Sequence, residues 1–384
     1  MSNNADITLV CSTCHARYST DVARWRCDCG APLSLDFAPR YSREAIYAGE
    51  PSLWRYQDAL PLAQRSDLPP MNLGERMTPL RNMEGPWGNA WFKMDYLMPS
   101  GSYKDRGTAV MMQQLRLWGV EELIEDSSGN AGASVAAYAT LAGIHARIFI
   151  PESASEGKAV QIALSGAELV RVPGTREQTT EAAFAAAENT FYASHNWSPW
   201  FIHGVKTLAL EIWEQLGWRA PQAVVVPVGN GSLVLGLYAG FCELLRAKHI
   251  DTLPRIIAVQ ASACAPLAEA FATGKDEPVL LVKGATMAEG IASMLPIRGK
   301  EILAAVRATA GAIIQVGEEE MWEALQLMAR RGAYIEPTSA AAVAGFMQLR
   351  KKGELQYDDV VVELTGSGLK ATDKLVDLFR QNTP

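Results

Sequence analysis

From about residue 90 to the C-terminus, short β-branched or aliphatic runs alternate with longer Ala- and Leu-rich runs of helical period. The short runs predict strands and the longer runs predict helices. Alternation of this kind favours parallel sheets covered by helices on both faces. The predicted strands could form one barrel or two open sheets. They are residues 90–96, 122–126, 146–151, 168–172, 223–228, 255–260, 312–316 and 360–364.

Helix candidates fill the gaps between these strands. In open α/β sheets, ligands bind at the carboxyl ends of strands, so the turns that follow strands are where a site is expected. The clearest helix candidates are residues 131–142, 177–191, 204–216, 233–248, 318–331 and 339–352.

The bulk composition narrows the class of protein. A chain of 384 residues with 48% hydrophobic and 20% charged residues can bury two or three cores. The 35 basic and 42 acidic side chains give a net charge of −7, which disfavours binding to nucleic acid or to an anionic membrane. The N-terminus lacks the pattern of a secretory signal, and no apolar run is long enough to span a membrane. The predicted location is the cytoplasm.

Four of the six cysteines lie within the first 40 residues, which we predict to form a small separate unit. In a large cytoplasmic chain, such clustering indicates a metal site before disulfides. Four thiolates suit tetrahedral zinc, and His15 is a spare ligand nearby. The alternative is a degenerate knuckle of four reduced cysteines. The candidate zinc ligands are Cys11, Cys14, Cys27 and Cys29.

Three turns between a predicted strand and a predicted helix are small and polar. Residues 127–131 (Ser-Ser-Gly-Asn-Ala) open a helix and favour an anion such as a carboxylate, or simply cap that helix. Residues 229–233 (Gly-Asn-Gly-Ser-Leu) suit a phosphate, but they lack the third glycine of a dinucleotide fingerprint. Residues 365–370 (Thr-Gly-Ser-Gly-Leu-Lys) offer hydroxyls to a ligand or to a helix cap. Each turn alone is weak evidence of function.

A lysine completes the pattern. Lys104, within Ser-Gly-Ser-Tyr-Lys-Asp-Arg-Gly, would alone be read as a surface residue. Together with the three turns, in this order and spacing, it resembles fold-type II pyridoxal-phosphate enzymes, most closely the threonine synthases and their relatives. Residues 336–341 (Glu-Pro-Thr-Ser-Ala-Ala) are also similar to a segment of that family. The resemblance runs from about residue 75 to the C-terminus, and many relatives begin with a cysteine knuckle.

The resemblance implies a fold class and a domain organisation. The fold is α/β, with two open parallel-sheet domains as in tryptophan synthase β-like enzymes, preceded by the small cysteine knuckle. Residues 1–40 would form the zinc-knuckle-like unit. Residues 41–109 and 206–384 would form the large pyridoxal-phosphate-binding domain, and residues 110–205 the small α/β domain. The resemblance also implies a homodimer.

The resemblance assigns roles to individual residues. Lys104 would hold pyridoxal 5′-phosphate as a Schiff base and, once displaced by the amino-acid substrate, act as a general base. Asn130 would bond the 3′ oxygen of the cofactor, and Thr365 would face its pyridine nitrogen. The implied phosphate-binding residues are Gly229, Asn230, Gly231, Ser232 and Leu233. The implied substrate-binding residues are Ser127, Ser128, Ala131 and Lys206.

One segment departs from the threonine synthase pattern. Where that family carries an arginine that recognises the substrate phosphate, this chain has Phe201, and His195 replaces a leading asparagine. Phenylalanine cannot give the bidentate recognition of phosphate that arginine gives. Either Lys206, His195 or Arg298 takes over, or the substrate lacks the phosphate. The neighbouring Trp197 and Trp200 line an apolar pocket or belong to the core.

These features support a lyase of the threonine synthase type, with conversion of O-phosphohomoserine to threonine as the leading reaction. The alternative within the same cofactor class acts on a different substrate, as a serine/threonine dehydratase-like deaminase or as a β-replacement enzyme similar to cysteate synthase. A catalytically inactive interaction module is disfavoured because Lys104 and the phosphate turn are intact. A nicotinamide oxidoreductase is disfavoured by the glycine pattern.

Overall fold

The computed structural model describes residues 7–63, 67–154 and 156–382, and its chain divides into two compact units. The first unit comprises Met1–Met77 and Lys104–Thr207, and the second comprises Thr78–Tyr103 and Leu208–Pro384. The division into domains that the sequence suggests, with residues 41–109 in the larger one, stays a prediction.

The strands match the predicted ones closely and add several short ones. All eight predicted strands form, with bounds that differ by three residues at most. Short antiparallel strands also form in the N-terminal segment and next to residues 88–93, where the sequence is polar. The strands of the described residues are β1 (Thr8–Cys11), β2 (Arg17–Ser19), β3 (Leu33–Asp36), β4 (Leu80–Gly85), β5 (Gly88–Lys93), β6 (Glu122–Glu125), β7 (His145–Pro151), β8 (Glu168–Val172), β9 (Phe191–Tyr192), β10 (Ala223–Pro227), β11 (Arg255–Ala261), β12 (Ala312–Val316) and β13 (Val360–Glu363).

The predicted helices also form. One predicted helix, residues 177–191, ends early at Ala186 because the chain turns to enter β9. The α-helices of the described residues are α1 (Arg43–Ala48), α2 (Lys104–Leu117), α3 (Asn130–Ala142), α4 (Glu156–Leu164), α5 (Arg176–Ala186), α6 (Pro199–Gln215), α7 (Ser232–Arg246), α8 (Pro266–Ala272), α9 (Gly299–Ala308), α10 (Glu318–Ala329), α11 (Pro337–Lys351) and α12 (Thr372–Asn382). None of them is long and apolar enough to cross a membrane.

The second unit is built on a six-stranded sheet in the order β12-β11-β10-β13-β5-β4. Its strands are parallel except for the edge strand β4. Every residue of β10 is buried. Val225 packs in the core that includes the apolar side chains of α11, while its neighbours Val224 and Val226 face the other side of the sheet. The continuous apolar run of β10 follows from burial on both faces.

The first unit contains a four-stranded parallel sheet in the order β8-β7-β6-β9. The two units therefore contain two open sheets, and the single barrel does not form. The N-terminal segment adds a small antiparallel sheet in the order β2-β1-β3. Trp25, from this segment, packs edge-on against Tyr192 and Trp197, at centroid distances of 5.0 and 5.2 Å. These contacts join the knuckle to the aromatic core beside β9.

Candidate active site

In the second unit, two of the predicted turns lie at the same edge of the sheet. β10 and β13 are adjacent and parallel, so the residues that follow them emerge side by side. Gly231 caps α7 with φ of +83°, a conformation that glycine adopts without strain. The first amides of α7 have no partner within the helix, an arrangement that suits an anion. We call residues 229–233 the anion-binding turn.

The residue before Lys104 is bonded to both of these turns. The backbone N–H of Tyr103 donates to the carbonyl of Thr365 at 2.9 Å. The hydroxyl oxygen of Tyr103 lies 3.1 Å from the hydroxyl oxygen of Ser232 in the anion-binding turn. Ser102 also forms a bridge to Gly366. The residue that precedes Lys104 is therefore fixed by hydrogen bonds to the anion-binding turn and to the Thr365 turn.

The hydroxyl of Thr365 is fully buried and doubly bonded. It donates to Glu336 Oε1 at 3.0 Å and lies 2.9 Å from the hydroxyl of Ser339, near the start of α11. Glu336 belongs to the Glu-Pro-Thr-Ser segment that the sequence singled out. The two segments that the sequence linked only by resemblance are thus in contact.

In the first unit, Lys104 is the first residue of α2, and the next residue joins this helix to α3. Asp105 is fully buried and accepts a 2.6 Å hydrogen bond from the hydroxyl of Ser134. α3 begins at Asn130, directly after the Ser-Ser-Gly turn. A Cβ at Gly132 would lie only 1.9 Å from the carbonyl oxygen of Ser127, so this turn requires glycine at that position.

Phe201, at the position of the expected arginine, packs against the start of α2. A Cβ at Gly107 would lie 2.6 Å from its ring, and Lys104 Nζ is 5.6 Å from the ring centroid. Phe201, Trp197 and Trp200 are all buried. These aromatic side chains are core residues of the first unit.

The cations that could replace the arginine are held by other groups. Lys206 is fully buried, donates to the carbonyl of Ala59 at 2.6 Å and lies 4.9 Å from the Phe37 centroid. Arg298, in the second unit, is buried and donates to both carboxylate oxygens of Glu301 at 3.1 Å. Both cations therefore already serve the packing of their own units.

Sequence reasoning missed a buried pair in the first unit. Glu125, the last residue of β6, lies with Oε1 2.9 Å from His195 Nδ1 and accepts the backbone N–H of His195 on Oε2 at 3.1 Å. Burial and the charge of Asp126 raise the pKa of Glu125 well above its usual value. Burial and the positive charge of Lys104 lower the pKa of His195 well below its usual value. The pair therefore lies within electrostatic reach of Lys104.

The four N-terminal cysteines come together as the sequence predicted. Cys11 Sγ lies 3.6 Å from Cys29 Sγ, and Cys14 Sγ lies 3.4 Å from Cys27 Sγ. All four sulfurs lie within 4.8 Å of one another. Zinc–sulfur bonds of about 2.3 Å in a tetrahedron place sulfurs roughly 3.8 Å apart. The cluster could hold a metal ion.

Each unit carries groups of the kind that pyridoxal phosphate requires: a lysine at a helix start in the first unit, and an anion-binding turn and a buried hydroxyl in the second. The chain belongs to the family of pyridoxal-phosphate dependent enzymes, which matches residues 71–366. It is a threonine synthase-like, pyridoxal-phosphate-dependent lyase. It is 32% identical over 380 residues to a threonine synthase of Methanocaldococcus jannaschii, covering 95% of this chain and 93% of that protein. A threonine synthase of Methanosarcina acetivorans is 29% identical over 388 residues, covering 98% and 95%.

Solved structures of the same fold include enzymes with other activities. Maize serine racemase matches with a TM-score of 0.68 at 20% identity, covering 80% of this chain and 92% of that one. A threonine deaminase from Solanum lycopersicum matches with a TM-score of 0.68 at 23% identity, covering 79% and 84%. At these identities the likeness establishes the fold and leaves the substrate open.

Proposed function

We propose that this lyase eliminates a β- or γ-substituent from a small amino acid, with Lys104 as the residue that holds the cofactor. The bonds from Tyr103 to Ser232 and Thr365 are the observation that carries the proposal, because they join the chain at Lys104 to the anion-binding turn and the buried hydroxyl. Bound pyridoxal phosphate supplies an electron sink for carbanion chemistry. The released amine of Lys104 would accept the proton from the substrate α-carbon.

The surrounding residues would orient cofactor and substrate. The amides of residues 229–233 would hold the cofactor phosphate, Asn130 its 3′ oxygen, and Thr365 its ring nitrogen. The turn of Ser127, Ser128 and Ala131 at the start of α3 would bind the substrate carboxylate through helix N-terminal amides.

The curated relatives named threonine synthase support O-phosphohomoserine as the first candidate substrate and threonine as its product. The overlap is nearly complete in length, and Lys104 and the turns lie within the matched region. Lys206 would contact the substrate phosphate in this reading. Its amine already donates one hydrogen to the carbonyl of Ala59, so the phosphate would take another of its three.

A second candidate substrate, a hydroxy amino acid without a phosphate, is favoured by the geometry around Phe201. A phosphate needs cations, and two candidate replacements for the arginine, Lys206 and Arg298, are buried against Ala59 and Glu301. A dehydratase-like or β-replacement reaction on such a substrate needs the same Lys104 and the same turns.

A spectral and product screen distinguishes the candidates. Holoenzyme is mixed with O-phosphohomoserine, O-phosphoserine, serine, threonine and homoserine, and the cofactor absorption band and 2-oxo acid release are followed. We expect a response to serine or threonine and a weaker one to O-phosphohomoserine. Threonine and phosphate formed from O-phosphohomoserine alone would establish the first candidate instead. Protein that cannot be loaded with the cofactor would contradict the whole proposal.

We also propose that the four cysteines bind one zinc ion. Metal analysis of purified protein is expected to give one zinc per chain, and Cys14→Ser, which removes one exposed ligand, is expected to lose it. Because the knuckle packs on Tyr192 through Trp25, zinc loss should also lower the thermal unfolding midpoint. Cys264→Ser, at a buried cysteine outside the cluster, is the control and should retain the metal. Full zinc in Cys14→Ser would contradict the assignment.

A further inference from the structure

We propose that His195, held by Glu125, donates a proton to the departing hydroxyl oxygen of a β-hydroxy amino-acid substrate such as serine or threonine. The proposal rests on the proposed lyase function and specifies its substrate class. It assigns a catalytic task to a buried pair that the preceding roles do not use.

Within the first unit, His195 and the reacting lysine lie near the same aromatic side chain. The ring of Phe201 lies 5.6 Å from Lys104 Nζ and 5.7 Å from the ring of His195, so amine and imidazole pack around one aromatic side chain. Nδ1 and the backbone N–H of His195 are both bonded to Glu125, which fixes the ring. The second ring nitrogen, Nε2, takes no part in these bonds and is the atom that would donate to the substrate.

The pair is arranged to carry a proton. Burial raises the pKa of Glu125, which favours a proton held by the pair. Whether that proton resides on Oε1 or on Nδ1, Nε2 carries a hydrogen and is a donor. The charge of Asp126 assists by raising the pKa of Glu125, whereas Lys104 and Arg176 lower it.

The charges facing the pair from neighbouring elements are themselves held in place. The carboxylate of Asp126 accepts hydrogen bonds from Arg176 at 3.0 Å, Thr180 at 2.7 Å and Tyr192 at 2.9 Å. Burial and then the charge of Asp126 raise the pKa of Tyr192 well above its usual value, so it remains a neutral donor. Lys104 is therefore the charged group beside the pair whose state changes during the reaction.

The proposed step balances. The amine of Lys104 takes the α-proton, and the electron pair of that C–H bond becomes the double bond between the α- and β-carbons. The β-carbon–oxygen bond breaks, its electron pair stays on oxygen, and the oxygen takes the proton from His195 Nε2 and leaves as water. The proton of Glu125 then resides on Nδ1, which leaves a carboxylate. Transfer of the proton from Lys104 back to Nε2 through water restores the starting state.

The leaving group explains why such a donor is needed. Hydroxide leaves poorly unless it is protonated, whereas phosphate leaves without that help. In this chain Phe201 removes a cation suited to phosphate, and His195 with Glu125 supplies a proton donor. The two departures from the threonine synthase pattern therefore point to the same change of substrate.

The test compares leaving groups in His195→Gln. Chloride needs no proton, so β-chloroalanine reports the chemistry at Lys104 without the donor. We expect the ratio of the serine rate to the β-chloroalanine rate to fall about 100-fold, within the usual contribution of a general acid. His145→Gln, at an exposed histidine of the same unit, is the matched control and should keep the wild-type ratio.

Two further measurements follow the proton of the pair, and the first of them needs only the wild-type chain. The serine to β-chloroalanine ratio should fall as the pH rises and the pair loses its proton. Nitrogen NMR of labelled apoprotein should show a protonated Nε2 for the signal that disappears in His195→Gln. Equal losses on both substrates, a pH-independent ratio, an unprotonated Nε2, or turnover of β-chloroalanine without turnover of serine or threonine would each overturn the proposal. No turnover of any of these substrates would contradict the lyase function itself.

Discussion

Replacing Lys104 with alanine is expected to reduce turnover at least about 10³-fold, because the variant loses both the covalent anchor of the cofactor and the base at the α-carbon. The residue lies at the first position of α2 and its neighbours Tyr103 and Asp105 are fixed by hydrogen bonds, so the variant should fold. Borohydride reduction followed by peptide mass spectrometry should find the cofactor on Lys104 in the wild type and on no peptide of Lys104→Ala.

Lys300→Ala is the control for this experiment, since Lys300 is exposed near the start of α9 and is not among the residues proposed to hold cofactor or substrate. It should keep wild-type rates and the labelled peptide. A labelled peptide from another lysine, or turnover by Lys104→Ala within tenfold of wild type, would show that Lys104 is not the cofactor lysine.

The strands and helices of this protein were predictable because each has a clear period. β10, for example, is a continuous aliphatic run, and such runs are typical of strands buried on both faces. β4 was not predictable: it is an edge strand in which only Met83 of the six residues is buried, so its sequence carries no apolar pattern. The end of α5 at Ala186 was also missed, since Phe191 continues the helical period but belongs to β9.

The position of the turns in the candidate site can be predicted from local sequence, whereas the pairing of its charged side chains cannot. The turns at residues 127–131 and 229–233 lie between a predicted strand and a predicted helix, and α3 and α7 begin within them as the sequence indicates. The pairing of Glu125 with His195 joins residues 70 positions apart, and neither side chain has a sequence pattern that indicates its partner. Lys206 is the opposite case. Its position in the family pattern suggests a contact with the substrate, whereas in the structure its amine donates to the carbonyl of Ala59.

A second large effect is expected in the core of the second unit, where Lys93 and Glu211 are both fully buried. Lys93 Nζ lies 2.6 Å from Glu211 Oε1 and also donates to the carbonyl of Thr78 and to Gln215 Oε1. Thr78 in turn donates its backbone N–H to Glu211 at 2.6 Å and its hydroxyl to Asp95 at 2.6 Å. This network joins β5 to α6, and its charged groups, Lys93, Glu211 and Asp95, are fully buried.

Lys93→Met is expected to lower the free energy of unfolding by about 3–5 kcal/mol, because it leaves the carboxylate of Glu211 buried without its cation. Urea unfolding followed by circular dichroism measures the loss. The double variant Lys93→Met with Glu211→Gln should recover a large part of it, since neither charge then remains. Asp276→Asn, which breaks an exposed pair with Arg307 at 2.7 Å, should cost less than about 1 kcal/mol. If Lys93→Met lowered the free energy of unfolding no more than this control, the buried pair would contribute little to stability. Its role would then be to specify how β5 and α6 pack.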